Sequence, residues 1–215
     1  MPEYLSILRE ASVASIYFLF VFVILLFIIK GKIQLKEFQI LFYIWLPTAV
    51  VTQFLMTYFR LSLGKSNLLI MNIYLIFEYV ILVIVLLMVR ERTRGIKPNY
   101  KLWGIILAAG VLTHFIYDFE TIHNAAMLFI AIVYFQLTVN YIDLNKVDKF
   151  YLDQYSLLNI TIFIKAIGYS YFLIYQTDYR FPLSIFSGVN LIVQFLFGIT
   201  ILTYYRNINI KKTSE

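Results

Sequence analysis

Two ionisable side chains stand where ionisable groups are least expected. Glu78 lies at the centre of the apolar run LLIMNIYLIFEYVILVIVLLMV, residues 68–89, and Lys165 lies at the centre of a second apolar run, residues 155–175. In the middle of a membrane-crossing helix a charge costs about 2.5–3.5 kcal/mol on insertion scales, and such groups are as a rule paired, neutral or turned to a polar interior. An acid and a base at matching depth can hold a proton, bind a charged ligand or neutralise one another. No other opposite charge lies at comparable depth, so Glu78 and Lys165 are expected to face each other, or one shared cavity, in a ligand-binding or gating role.

Helical spacing gives both residues polar neighbours. Asn67, Met71, Tyr74 and Glu78 fall on one face, as do Thr161, Lys165, Gly168 and Tyr169. Ser187, Asn190, Gln194 and Gly198 form another stripe, Thr48 and Thr52 beside Pro47 a fourth, and Gln136 with Asn140 a fifth. The expected site therefore comprises Glu78, Lys165, Tyr74, Gln194, Asn190, Thr48 and Thr52, with the five strips converging on one polar interior. The competing reading is interhelical hydrogen bonding worth roughly 0.6 kcal/mol per bond.

Other chemistries find little support. The chain has no cysteine, which removes disulfides, thiolate metal sites and cysteine nucleophiles, and it has two histidines. Both belong to the cluster His114, Asp118, Glu120 and His123, which matches no ligand signature and reads as an ordinary polar loop. Paired carboxylates and a serine-nucleophile motif are also missing, so the expectation is a non-enzyme without metal or cofactor.

The elements that must position Glu78 and Lys165 follow from composition. Of 215 residues, 61% are hydrophobic and 14% charged, against roughly 45–50% apolar in soluble domains. Apolar runs of about 20 residues alternate with short basic clusters, which predicts an all-α, polytopic membrane bundle forming a single domain over residues 1–215. Seven spans are expected, at about 11–29, 38–58, 68–89, 102–117, 124–142, 155–175 and 182–204. Pro47 should kink the second, and Gly104 and Gly110 should permit close approach in the fourth.

Basic residues set the orientation. Arg9, Arg60, Lys65 and Arg180 fall on one side of a seven-span chain, and thirteen others, from Lys30 to Lys212, fall on the other. The positive-inside rule then places the N-terminus outside and the C-terminus in the cytoplasm, as expected of a multi-pass protein of the plasma (inner) membrane. The run from Arg90 to Lys101 reads as a topogenic, lipid-contacting loop. Weak echoes at offsets of 117–120 residues, such as Asn72 with Asn190 and Arg60 with Arg180, admit a 3+1+3 parallel repeat. General similarity among apolar helices is the other explanation.

At residues 66–87, SNLLIMNIYLIFEYVILVIVLL, the chain resembles a family of small seven-span bacterial integral membrane proteins of unassigned function, through Asn67, Tyr74 and Glu78. The resemblance covers little more than this span and implies the seven-span fold and a family-typical Glu78, without a reaction. The partners expected are the lipid bilayer, a small-molecule or lipid ligand, and a membrane-protein partner or second copy; nucleic acid is not. Binding or transport of a small molecule or lipid stands against a non-catalytic sensor or accessory subunit.

Overall fold

A computed structural model of the chain describes residues 3–62, 68–115, 124–139, 153–174 and 180–213. Among these residues all regular structure is helical, with no strand. The first helix, α1 (Glu3–Lys30), ends where Gly31 adopts a left-handed φ of +85° and returns its N–H to Phe27 O. The second, α2 (Lys36–Ser62), is one continuous rod. Next come α3 (Leu68–Arg94), closed by Gly95 in the same manner as α1, and α4 (Tyr100–Phe115), whose first turn is capped by Asn99. They are followed by α5 (Asn124–Val139), α6 (Gln154–Ile174), capped by Asp153, and α7 (Arg180–Thr213).

Several helices outrun the spans expected from hydropathy. α1 begins at Glu3 and not near residue 11, α3 continues to Arg94, and α7 reaches Thr213. Apolar windows report the lipid-crossing part of a helix, whereas Lys, Arg and Glu are themselves good helix formers and let it continue beyond. Arg90–Arg94 is therefore the last turn of α3 and not part of a loop. Residues 116–117, 140–142 and 175, assigned to span ends, lie outside the described residues.

Among the described residues, four helices are long and apolar enough to cross a membrane: Ile7–Lys30, Lys36–Ser62, Leu68–Arg94 and Phe186–Ile208. Two shorter apolar helices accompany them, Tyr100–Phe115 and Ala125–Val139. The exterior agrees with an apolar solvent, since Phe18 and Phe195 are 74% and 69% exposed, among many other outward aliphatic and aromatic side chains. These features are those of a membrane protein.

The proline in α2 produces a π-helical stretch. Ile40–Trp45 is π-helical, and Leu46 N–H reaches back to Leu41 O, five residues away. Pro47 has no N–H to give Tyr43 O and its ring crowds that carbonyl, so the preceding turn widens. One rod thus carries two helical phases. Close approach in α4 depends on Gly110, where an added Cβ would lie 2.3 Å from Tyr79 Cε1. Gly104, expected to act likewise, has nothing within 4 Å and no packing role.

Five helices meet at one end of the bundle, the end richest in Lys and Arg. Tyr205 donates to Gly31 O at 2.7 Å, and Tyr204 accepts from Gln34 N–H at 2.6 Å. Tyr43 accepts from Ile33 N–H, and Gln39 donates to Ile33 O. The α1–α2 connection is tied on both sides, and α1, α2, α3, α6 and α7 alternate in direction around it.

Candidate functional site

Glu78 and Lys165 meet in the interior of this bundle. Lys165 Nζ lies 3.1 Å from Glu78 Oε2, and the two side chains are 6% and 1% exposed. Tyr74, one turn before Glu78 on α3, donates its hydroxyl to Oε2 at 2.7 Å. The Trp45 indole, at the end of the π-helical turn of α2, donates to the same oxygen at 3.3 Å. Tyr169, one turn after Lys165 on α6, donates to Oε1, and the Tyr134 hydroxyl of α5 lies 3.5 Å from the Glu78 backbone carbonyl. Four helices therefore supply donors to one glutamate.

Lys165 is enclosed as well as paired. Its ammonium lies 5.8 Å from the Trp45 ring centre and 5.5 Å from that of Tyr169, within cation–π range. Trp45 is backed by Phe197 at 4.8 Å, and Tyr169 packs on Tyr134 at 6.2 Å. The result is a carboxylate facing hydroxyl and indole donors and an ammonium between aromatic rings. Such a centre can hold a proton or a charged ligand, and among the described residues no group of three or more His, Asp and Glu could hold a metal ion.

The other expected site residues are placed elsewhere. Thr48 spends its hydroxyl on Ile44 O at 2.8 Å, one turn back on its own helix. Thr52 is buried on α2, and Asn190 is half-buried on α7. Gln194 accepts from Ser15 of α1, beside an apolar groove between α1 and α7 of about 820 Å³. Among the described residues none of these four is hydrogen-bonded to Glu78 or Lys165. Gln136 is exposed, His114 is buried, and Asn67, Asp118, Glu120, His123 and Asn140 lie outside the described residues.

A second carboxylate went unnoticed in the sequence. Glu37, among basic residues at the start of α2, is fully buried and pairs with Arg92 Nε of α3 at 2.6 Å. Tyr155 of α6 donates to the same Oε1 at 3.1 Å, while Oε2 has no hydrogen-bond partner among the described residues. Arg92, expected to lie in a lipid-contacting loop, is instead half of an ion pair, with its side chain 45% exposed.

No protein-family model matches this chain, and no similar curated protein or solved structure was found.

Proposed function

We propose that this chain is a seven-span, transporter-like protein of the bacterial inner membrane that binds or transports a small molecule or lipid through the interior centred on Glu78 and Lys165. The observation that carries the reading is the caged ion pair near the middle of α3 and α6. Burying two charges seldom improves stability over an apolar pair of the same volume, and retention of both at such depth marks a functional interior.

The topology offered is N-terminus outside and C-terminus in the cytoplasm. Supporting it, the tyrosine-tied end of the bundle gathers Lys30, Lys32, Lys36, Arg90, Arg92 and Arg206. A parallel repeat is supported by register. α2 and α6 start 118 residues apart, and Trp45–Phe197 repeats the contact of Lys165–Glu78 at offsets of 120 and 119.

Native mass spectrometry of the protein released from mild detergent tests the function. A retained lipid or small molecule, lost from Glu78→Gln/Lys165→Met, is the expected result. Constant recovery of another protein subunit with no small ligand would favour an accessory or sensor role. For topology, a reporter active only in the cytoplasm should work after Glu215 and fail when inserted beside Glu120; equal activity would sink the seven-span arrangement.

A further inference from the structure

The two members of the ion pair are held very unequally. Glu78 is anchored by Tyr74, Trp45 and Tyr169 in addition to Lys165, whereas Lys165 has one anionic contact and two ring faces. Lys165 is also a point charge on a flexible four-carbon stem, which can swing away without moving α6. An incoming anion would have to displace a carboxylate held by four donors. An incoming cation has only to replace one ammonium.

We infer that Glu78, Trp45, Tyr169 and Tyr74 form a recognition site for a ligand bearing a primary alkylammonium group, with Lys165 occupying that site in the ligand's place. The inference rests on the small-molecule reading above and names its ligand class. A carboxylate beside two aromatic faces is the chemistry that selects ammonium ions. An ammonium fits better than a guanidinium because the cation meets Glu78 at Oε2, which also accepts from Tyr74 and Trp45, while Oε1 faces Tyr169; a guanidinium fork is matched by both oxygens. Lys165 is then a tethered competitor. Its high local concentration weakens binding of a free amine until it vacates the site.

The test uses the full chain in detergent with Trp103→Phe, which leaves Trp45 as the one tryptophan of two and a reporter inside the site. The probe is n-propylammonium, which replaces the atoms lost in Lys165→Ala, with 1-propanol as the neutral control. Saturable change in Trp45 fluorescence is expected in the unmodified site, about tenfold tighter in Lys165→Ala, and absent both from Glu78→Gln and with 1-propanol. If Lys165→Ala or Glu78→Gln fails to fold, n-propylammonium against 1-propanol at the unmodified site decides alone. A response confined to Lys165→Ala, or one surviving Glu78→Gln, overturns the proposal. A lipid or other ligand retained in native spectra in a Glu78-dependent way, with no response to n-propylammonium, removes the ammonium class and leaves the binding reading standing.

Discussion

Glu78 and Glu37 are built from the same parts and finished differently. Each is a buried glutamate on one helix, paired with a basic residue from a second and approached by tyrosine hydroxyls. Measured along α3 from Glu78 to Arg92, about 21 Å separates the two centres. Both oxygens of Glu78 accept hydrogen bonds, and Lys165 is almost wholly enclosed; Glu37 Oε2 has no partner among the described residues, and Arg92 is close to half exposed. In the interior, where no water can solvate a loose charge, every donor comes from the protein. At the basic end Arg92 is partly open to solvent, while the buried Glu37 meets its cation and Tyr155 through Oε1 alone.

The largest effects should come from breaking the inner pair. Glu78→Gln and Lys165→Met each leave a partner in a low-dielectric interior, a loss of about 3–5 kcal/mol for a buried pair. Lys165→Met should be the milder, because Tyr74, Tyr169 and Trp45 still donate to the carboxylate, whereas Glu78→Gln leaves the ammonium without an anion. The double replacement should cost less than the two together. Thermal unfolding in detergent measures all three, and strict additivity would break the claim that the pair acts as a unit.

At the basic end, Glu37→Gln should cost about 1.5–3 kcal/mol, the range for a hydrogen bond to a charged group. Arg92→Gln should behave differently from Lys165→Met in salt. Arg92 touches solvent, so its contribution should shrink as ionic strength rises, while that of the enclosed Lys165 should hold. Equal salt dependence at the two positions would erase the distinction between a wet and a dry pair.

The contrast was partly visible beforehand. Glu78 and Lys165 stand out because a charge in an apolar run is an exception, and Tyr74 and Tyr169 follow from one-turn spacing on regular helices. Trp45 was hidden because the π-helical turn before Pro47 shifts the phase by which faces are read. Glu37 was hidden by its basic neighbours, since its burial depends on where α3 and α6 bring Arg92 and Tyr155. A polar residue on an expected face need not reach the ion pair, because a hydroxyl in an apolar helix can satisfy itself on the carbonyl one turn back, as Thr48 does. Whether a glycine is a contact or a gap likewise depends on its neighbour, which separates Gly110 from Gly104.

Removing single hydroxyls grades the two shells more finely. Tyr169→Phe takes the donor from Glu78 Oε1 and should cost about 1–3 kcal/mol, since a buried charged acceptor is left bare. Tyr74→Phe and Tyr155→Phe should each cost nearer 1 kcal/mol, because Oε2 of Glu78 keeps Lys165 and Trp45, and Oε1 of Glu37 keeps Arg92. Chemical-denaturant unfolding in detergent resolves the order. Tyr155→Phe proving as costly as Tyr169→Phe would mean that the end cluster is as dry as the inner one.

The smallest effect is expected at an uncharged polar pair, Ser15 and Gln194, which contact each other across α1 and α7 beside the apolar groove. A single interhelical hydrogen bond in a bilayer averages about 0.6 kcal/mol, because the separated helices find substitute partners. The two replacements should not be equal even at this scale. The single Ser15 hydroxyl hydrogen also has Ser12 O within reach, 2.9 Å away on its own helix, so in Gln194→Leu the hydroxyl can turn to that carbonyl, and an apolar side chain joins Phe18, Leu19 and Phe195. Ser15→Ala leaves the amide of Gln194 beside that same apolar lining without its serine partner. Ser15→Ala is therefore expected to lower the unfolding temperature slightly, and Gln194→Leu to leave it unchanged or raise it. A loss in either variant matching Lys165→Met would show that the groove shares the energetic weight assigned to the caged charges, and the division between a charged interior and merely cohesive polar strips would then have to be redrawn around α1 and α7.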